Sequence, residues 1–348
     1  MATSEERLEV AVVGGGQAGL AIGYHLTKRG ALFAIFDASP EIGYSWRSRW
    51  DSLALFTSAR FSSLPGLRFP APDDHYPSKE EVARYLKSYA ASFGLPVRSG
   101  SEVLALRQSD DGYLLETNSG LVRADQVIVA TGPFQQPAVP AFSKDLSTDV
   151  VQLHSARYAR PADIPSGDVL VVGGGNSGFQ IATELAVGAR RVSLSVGRRL
   201  IHLPQRALGT DLFWWLTRLG VMRVRSGSPL GRFFRTQPDA IVGTPLGHVR
   251  ELGVRILPRA IGARGDAVVF ADGGTREFHA VVWATGYRSD YRWIHVPVID
   301  AAGRPIHHGG ISPARGLFFL GLPWQRTAGS ALLGFVGSDA QYVAEHLS

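Results

Sequence analysis

Two glycine-rich turns constrain the fold of this chain more than any other feature. "VAVVGGGQAGLAIGYHL" at residues 10–26 and "VLVVGGGNSGFQIATEL" at residues 169–185 match at nine of seventeen positions without a gap. Each stretch begins with a β-branched apolar run and continues into a helical apolar pattern. A strand, a glycine turn and a helix in this order are typical of a dinucleotide-binding βαβ unit.

The glycines of each turn have separate physical roles. The first permits the tight turn, the second lets the backbone approach a pyrophosphate, and the third lets helix and strand pack closely. The helix N-terminus then faces the anion. The cofactor-binding residues predicted in the two turns are Gly14, Gly16, Gln17 and Gly19, and Gly173, Gly175, Asn176, Ser177 and Gly178.

The similarity between the two halves extends beyond the turns. The first half continues with hairpin-like runs around "DDGY" and "TNSG" and then "DQVIVATG", and the second with "DAVVFADGGTREF" and "AVVWATG". This pattern indicates an internal duplication, and we predict an α/β fold of two doubly wound Rossmann-like domains with parallel sheets. The predicted cofactor-binding residues at the two Ala-Thr-Gly ends are Ala130, Thr131, Gly132, Thr285 and Gly286.

Two dinucleotide sites in one chain favour a flavin paired with a nicotinamide. Asp37 ends the second strand of the first unit, where a carboxylate accepts hydrogen bonds from an adenosine ribose, and this suits FAD. The second unit has Arg198 and Arg199 near the corresponding point and no acid, which favours the 2′-phosphate of NADPH, with NADH as the alternative donor. A solvated strand end is the competing interpretation of these two arginines.

The composition excludes several classes of function. The 348 residues include no cysteine, so disulfides, thiolate nucleophiles and Cys-ligated metals are excluded, and no metal site is predicted. The net charge of +6 comes from scattered arginines, and we expect no nucleic-acid partner. No apolar run reaches the roughly 18 residues of a membrane span, and "MATSEERLEV" lacks the features of a signal peptide. We therefore expect a cytoplasmic protein without a membrane partner.

Several segments together give the chain a family resemblance. Besides the two glycine turns, these are "GYSWRSRWDSLAL", "YPSKEEVARYLKSYAASFGLPV", "HSARY" and "WATGY". The chain resembles the single-component flavin-containing monooxygenases, with bacterial members and the plant YUCCA-type enzymes nearest. It keeps His154 and Tyr158 of the family fingerprint, but Thr148 and Val150 replace its Phe and Gly.

The resemblance implies further site residues. Trp46 and the C-terminal residues Gln325 and Thr327 are expected to contact the cofactor. Thr57 and Ser58 stand closest to the place where many members carry an active-site Asn, and they are the candidate catalytic residues.

The resemblance also implies a domain order and an activity. A FAD domain of residues 1–160 and 283–348 would be interrupted by an NAD(P)H domain of residues 165–280. NADPH would reduce FAD, O2 would form a C4a-hydroperoxyflavin, and one oxygen atom would pass to a small sulfide, amine or ketone. The alternatives are an NAD(P)H-dependent flavin oxidoreductase or oxidase that passes electrons to quinone, iron or O2, and a nucleotide-sensing regulatory module.

Two other segments have a structural interpretation. Ser78 and Glu81 form a capping-box pattern, which predicts a packed helix over residues 78–93. Residues 213–215 are Phe-Trp-Trp in a segment without a counterpart in the first half. Packing in a core or interface is favoured over a substrate lid, and an interface here would fit a homodimer.

Overall fold

The computed structural model describes residues 6–188, 190–197, 200–238 and 240–348. Arg198 and Arg199 therefore lie outside the described residues. The strands in the described part of the chain are β1 (Glu6–Val13), β2 (Phe33–Asp37), β3 (Val97–Ser99), β4 (Val103–Ser109), β5 (Gly112–Thr117), β6 (Gly120–Val129), β7 (Gln136–Pro137), β8 (Val151–His154), β9 (Asp168–Val172), β10 (Arg191–Ser195), β11 (Ile201–Leu203), β12 (Arg206–Ala207), β13 (Thr210–Asp211), β14 (Ala240–Val242), β15 (Arg255–Leu257), β16 (Ala260–Arg264), β17 (Ala267–Phe270), β18 (Thr275–Glu277), β19 (Ala280–Trp283), β20 (Tyr287–Arg288) and β21 (Leu317–Phe319).

The helices lie between these strands. The α-helices of the described residues are α1 (Gln17–Arg29), α2 (Tyr44–Arg47), α3 (Lys79–Ser92), α4 (Asn176–Val187), α5 (Leu212–Arg218), α6 (Pro229–Thr236), α7 (Leu246–Glu251) and α8 (Val336–Glu345). Short 3-10 helices cover Ala59–Phe61, Ala141–Asp145, Pro161–Asp163 and Val221–Arg223. No helix among the described residues is both long enough and apolar enough to span a bilayer.

The first sheet has the strand order β3-β2-β1-β6-β5-β4, with β21 beside the second half of β6. The strands β3, β2, β1, β6 and β21 run parallel, and β4, β5 and the first half of β6 form an antiparallel meander. Residues 10–13 of β1 are buried because neighbours cover both faces of the sheet. The sheet with its associated helices is called the first unit below.

The second sheet repeats this plan with the order β15-β10-β9-β19-β8, and all its pairings are parallel. The strand that precedes the glycine turn, β9, lies beside β19, as β1 lies beside β6. The strands β16, β17 and β18 form a separate antiparallel sheet, as the hairpin signals predict. The predicted fold of two Rossmann-like α/β units is confirmed, and the second sheet with its helices is called the second unit.

The strand β8 shows where the chain enters the second unit. It covers Val151–His154 and pairs with β19, so the second sheet takes in residues before position 165. The predicted domains are residues 1–160 with 283–348, and residues 165–280. This division places β8 in the first domain, and the division itself stays a prediction.

An apolar cluster joins the two units, and we call it the junction cluster. Its aromatic centre is Phe213 of α5, which is buried and stacks on Phe56 of the first unit with ring centroids 5.7 Å apart. Phe213 therefore has the packing role that its sequence context favours. The junction cluster consists of Phe56, Phe61, Leu203, Leu212, Phe213, Leu216, Met222, Val242, Leu332 and Phe335.

The predicted capping box at the start of α3 is present. Ser78 Oγ accepts the Glu81 N–H at 3.3 Å, and the Ser78 N–H donates to Glu81 Oε2 at 2.8 Å. Partial burial alone would raise the pKa of Glu81, but hydrogen bonds from Ser78 and His75 outweigh it and lower this pKa to about 2.

Replacing Glu81 with Gln tests this cap. A carboxylate with a depressed pKa stabilises the fold above its ordinary pKa, and this stability is lost as the pH falls towards the folded-state pKa. In urea unfolding, the wild-type protein should lose stability between about pH 4.5 and pH 2, and Glu81→Gln should flatten that loss. Glu80→Gln in the same turn is the control and should keep the wild-type slope; equal slopes in all three proteins would contradict the assignment. Ser78→Ala should cost about 1 kcal/mol at neutral pH.

Candidate functional site

The first glycine turn brings the backbones of β1, α1 and β6 into direct contact. Gly14 has a φ of +110°, and a Cβ atom there would lie 2.5 Å from the carbonyl oxygen of Ala130 at the end of β6. A Cβ on Gly19 would overlap the carbonyl oxygen of Gly14. At Gly16 a Cβ would meet nothing within 4 Å, and no side chain caps the helix. The free N–H groups and this open space fit a bound pyrophosphate.

Asp37 lies beside this turn at the end of β2. Its Oδ2 accepts the N–H of Gly15 at 2.7 Å, and its Oδ1 accepts the N–H of Ser39 at 2.8 Å. Each carboxylate oxygen can accept a further hydrogen bond. The carboxylate is thus fixed beside the glycine turn with capacity left for ribose hydroxyls, which fits the predicted role of Asp37.

The second turn reproduces the first. Gly173 has a φ of +138°, and a Cβ there would overlap the carbonyl oxygen of Ala284 at the end of β19. A Cβ on Gly178 would overlap the carbonyl oxygen of Gly173, while one on Gly175 would meet nothing within 4 Å. The duplication seen in the sequence is therefore a duplication of backbone contacts, with a second open space at a second helix N-terminus.

The polar side chains inside the turns bind protein backbone. Gln17 Nε2 donates to the carbonyl oxygen of Ala331 at 2.8 Å. Asn176 Nδ2 donates to Ala240 O at 3.1 Å, and its Oδ1 accepts the Val242 N–H at 2.9 Å. These side chains fix the N-termini of α1 and α4 against the C-terminal segment and β14. The partly buried Ser177, in the first turn of α4, stays a predicted cofactor contact.

The second Ala-Thr-Gly end is hydrogen-bonded to the segment that follows the first. Thr285 Oγ1 donates to the carbonyl oxygen of Ala138 at 2.5 Å, and the Ala138 N–H donates to Gly286 O at 3.0 Å. Just beyond, β7 and β20 pair in an antiparallel two-stranded sheet. Thr131 Oγ1 accepts Gln135 Nε2 at 2.9 Å, and Gly132 follows with a φ of +68°. The segment that follows β6 and the segment that follows β19 are thus hydrogen-bonded to each other.

His154 supports this contact from β8. Its Nδ1 accepts the Ala156 N–H at 3.1 Å, so the proton lies on Nε2, which donates to Gly286 O at 2.9 Å. Burial and the nearby charge of Arg49 lower the pKa of His154, which favours this neutral tautomer. Arg49 also donates to the Tyr287 hydroxyl and lies over the Tyr287 ring, 5.1 Å from its centroid. His154 and Arg49 therefore brace the second Ala-Thr-Gly end.

Trp46 lies on a segment that α3 holds in place. The Trp46 side chain packs against the core of the first unit. The buried Lys79 Nζ donates to Arg47 O at 3.2 Å, Arg49 O at 2.5 Å and Asp51 Oδ1 at 2.9 Å. This anchoring fixes the backbone around Trp46, whose cofactor contact stays a prediction.

The candidate catalytic residues Thr57 and Ser58 are both buried. Thr57 Oγ1 lies 3.0 Å from Ser62 Oγ, which donates to the Ser58 carbonyl oxygen at 2.8 Å. The Ser58 Oγ has no hydrogen-bond partner among the described residues. Phe61, in the helix that follows, contacts the backbone of Gly334, so this segment lies under the C-terminal loop. Of these two hydroxyls, that of Ser58 is the one that makes no hydrogen bond within the described residues.

The predicted C-terminal residues differ in their surroundings. The buried Gln325 binds backbone only, since its Oε1 accepts the Leu322 N–H at 3.2 Å and its Nε2 donates to Phe319 O at 2.9 Å. Thr327 lies where the C-terminal loop runs antiparallel to the second unit, in a bridge with Arg225. Gln325 therefore shapes the loop, and its contact with a cofactor, like that of Thr327, stays a prediction.

The sequence patterns did not reveal Arg259 beside the second site. This exposed residue follows β15 and contacts Gly197, at the strand end where the sequence singled out Arg198 and Arg199. The turn motif cannot show such a residue because it belongs to a neighbouring strand about 60 residues later in the chain. Among the described residues, no group of three or more His, Asp or Glu side chains is arranged to hold a metal ion.

Comparisons with known proteins agree with this geometry. Residues 11–208 match the family model described as pyridine nucleotide-disulphide oxidoreductase. The chain belongs to this family. It is 46% identical over 338 residues to a CzcO-like oxidoreductase of Geobacillus kaustophilus, covering 97% of each chain.

Relatives named as monooxygenases also match along most of the chain. The indole-3-pyruvate monooxygenase YUCCA4 of Oryza sativa is 30% identical over 325 residues, covering 80% of this chain and 74% of the relative. A solved flavin-containing monooxygenase from Stenotrophomonas maltophilia is 28% identical, with a TM-score of 0.82 over 98% of both chains. The resemblance to bacterial flavin-containing monooxygenases and YUCCA enzymes is thus confirmed.

Membership of the family defines the chemistry in outline. The chain is a flavin-monooxygenase-like oxidoreductase, and its family implies binding of FAD and NAD(P)H. The glycine turns fit such nucleotides. The absence of cysteine in the 348 residues excludes disulphide chemistry on the chain's own thiols, despite the family's name.

The second and third glycines of a turn should differ in how much an added methyl group destabilises the protein. Gly178→Ala should destabilise the protein by about 1–3 kcal/mol, because its Cβ would overlap backbone. Gly175→Ala, with open space around the added methyl group, should stay within about 0.5 kcal/mol of wild type. Urea unfolding of the two variants checks this, and similar losses in both would contradict the described contacts.

Proposed function

We propose that this protein is an NADPH- and O2-dependent flavoprotein monooxygenase that oxygenates a small sulfide, amine or ketone. The observation that carries the proposal is the pair of matched glycine turns. Each turn lies against the end of a neighbouring strand, β6 or β19, and the segments that follow these two strands are hydrogen-bonded to each other. Oxygenation of this kind needs a flavin and a reduced nicotinamide held close together. The similarity to monooxygenases along nearly the whole chain supports the same activity.

The two turns are proposed to hold different nucleotides. FAD is assigned to the first turn because Asp37 stands beside it and suits an unmodified ribose. NADPH is assigned to the second turn, where the sequence supplies Arg198 and Arg199 in place of an acid, and NADH stays the alternative. The proposed FAD domain is then residues 1–160 with 283–348, and the proposed NAD(P)H domain is residues 165–280.

The protein's contribution is binding, orientation and exclusion of water. FAD and NADPH, when bound, supply the hydride transfer and the activation of dioxygen. The glycine turns bind the nucleotides, and the bond from Thr285 to Ala138 O holds the two units together. The bond from His154 to Gly286 O fixes the second Ala-Thr-Gly end. The junction cluster fills the contact between the units with apolar side chains, which keeps bulk water from it.

One observation favours the second candidate, an NAD(P)H-dependent flavin oxidase or reductase that delivers electrons to quinone, iron or O2. Many related monooxygenases carry an active-site Asn where this chain has Thr57 and Ser58. The Thr57 hydroxyl is engaged by Ser62, so a single hydroxyl, that of Ser58, would take the place of an amide. The nucleotide-sensing hypothesis gains no support from the comparisons, since the relatives are oxidoreductases.

A reductive and an oxidative step test the proposed activity. NADPH should bleach the yellow protein under argon. Admission of O2 with a panel of sulfides, amines and ketones should give one oxygenated product per NADPH, measured by mass spectrometry. Hydrogen peroxide equal to the NADPH consumed, without product, would favour the oxidase. A colourless protein that takes up no added FAD would contradict both enzymatic hypotheses.

The assignment of FAD and NADPH to the two turns predicts a crossed pattern for two matched variants. An added methyl group at Gly16 or Gly175 meets open space in the protein, so it would intrude only on a bound nucleotide. Gly16→Ala should purify with less than half of the wild-type FAD. Gly175→Ala should keep its FAD and bind NADPH at least tenfold more weakly, measured by flavin absorbance and stopped-flow reduction. The reverse pattern would exchange the two assignments.

A further inference from the structure

The segment of residues 212–238 carries a large positive charge. It contains five arginines and neither a lysine nor an acidic residue, whereas the net charge of the whole chain is +6. All five arginines are exposed, and no carboxylate among the described residues forms an ion pair with them. They are Arg218, Arg223, Arg225, Arg232 and Arg235. The segment therefore presents positive charge that the protein itself does not neutralise.

This segment has a fixed position in the molecule. Residues 222–226 hydrogen-bond through their backbone to residues 326–329. Met222 packs in the junction cluster, while its neighbours Arg223 and Arg225 are exposed. The backbone is thus held in place, and the guanidinium groups extend into solvent.

The helix α6 presents apolar side chains to solvent within this segment. Leu230 is 51% exposed and Phe233 is 58% exposed, and their spacing of three residues places them on one face of the helix. Neither side chain belongs to an apolar cluster of the described residues. A single exposed apolar residue is common on protein surfaces, but two large ones side by side on one helix form an apolar patch.

The opposite side of α6 attaches the helix to the protein. Gly231 is buried, and a Cβ atom there would overlap the carbonyl oxygen of Arg225. Ser228 Oγ accepts the Gly231 N–H at 3.0 Å and donates to Arg225 O at 2.7 Å. Gly231 and Phe233 are two positions apart, which is about 200° around an α-helix. The attachment through Gly231 therefore leaves Leu230 and Phe233 facing away from the protein.

We propose that α6 and the arginines near it dock the protein on the surface of an anionic lipid bilayer. Leu230 and Phe233 enter the boundary between headgroups and acyl chains, and the arginines pair with lipid phosphates. A helix with one apolar face and arginines on its remaining surface is typical of such interfacial contacts. The expectation of no membrane partner rests on the lack of a spanning segment and of a signal peptide, and a surface contact needs neither. This inference does not depend on the proposed function.

Two other occupants fit the surface less well. A second copy of the chain, related by a two-fold axis, would place the same five arginines opposite one another with no acidic residue of the segment between them. A nucleic acid would pair with the arginines but leave Leu230 without a partner, because bases stack on aromatic rings. A lipid surface accommodates both the charges and the apolar side chains.

Co-sedimentation of the purified protein with lipid vesicles tests the docking surface. Phosphatidylcholine vesicles that contain about 30% phosphatidylglycerol should bind the protein at low ionic strength, and vesicles of phosphatidylcholine alone should bind it about tenfold more weakly. High salt should release much of the bound protein, because it screens exposed charges.

Two exposed apolar residues elsewhere provide a control for the apolar anchors. Leu230→Ser combined with Phe233→Ser should lower the partition onto the anionic vesicles by about tenfold. Leu104→Ser combined with Leu121→Ser removes side chains that are 47% and 48% exposed on the first sheet, and this variant should bind as wild type does. All four side chains are exposed, so circular dichroism should show wild-type folding in both variants.

Two arginines elsewhere provide the same control for charge. Arg232→Gln combined with Arg235→Gln should weaken binding to the anionic vesicles by about tenfold at low ionic strength and reduce its salt dependence. Arg264→Gln combined with Arg276→Gln removes the same charge from exposed positions on the sheet of β16, β17 and β18, and it should leave binding unchanged.

The other outcomes would each overturn the proposal. No binding to the anionic vesicles, or equal binding to both kinds of vesicle, would exclude an anionic bilayer as the partner. Unchanged binding after both serine substitutions in α6 would exclude this helix as the anchor. Tighter binding to a single-stranded oligonucleotide than to the vesicles would assign the surface to a nucleic acid. A dimer in analytical ultracentrifugation that the α6 variants dissociate would assign it to a second copy of the chain.

Discussion

The structure depends on a close approach of backbones that occurs twice. In each unit the first glycine of the turn lies against the alanine carbonyl that ends the neighbouring strand, Ala130 in the first and Ala284 in the second. Only a residue without a Cβ permits this contact, since any side chain would overlap that carbonyl. The contact aligns the turn, the helix N-terminus and the Ala-Thr-Gly end in one place. The geometry available to a nucleotide follows from this steric condition rather than from particular polar side chains.

Several independent contacts join the two units that carry the glycine turns. The antiparallel pair of β7 and β20, the bond from Thr285 to Ala138 and the junction cluster connect them at different points. A backbone ladder adds a further connection, in which residues 222–226 hydrogen-bond to residues 326–329. Redox exchange between two bound nucleotides requires a short and defined separation, which a single flexible linker would not provide. Contacts at several separate points between the units would hold two bound nucleotides at such a separation.

The sequence predicted those features that depend on local patterns. The two glycine turns, the hairpins and the capping box of α3 follow from the spacing of a few neighbouring residues, and the fold confirms them. Asn176 and Gln325 bind backbone groups of distant or irregular segments. No local sequence pattern predicts such partners. The pairing of β8 with β19 joins residues far apart in the chain, and Arg259 reaches the second site from another strand. Long-range contacts of this kind depend on the whole topology, which one motif does not encode.

The neighbouring positions of β7 and β20 have a consequence for how such a molecule could arise. The chain leaves the first unit on β7 and returns to it on β20, and these two antiparallel strands are hydrogen-bonded to each other. The two crossings between the units are therefore roughly one strand spacing apart, about 5 Å. A duplicated gene segment spliced into a surface loop of its parent would need ends as close as these, since the host sheet could then form without rearrangement. The topology is thus compatible with an origin by insertion of one copy into the other.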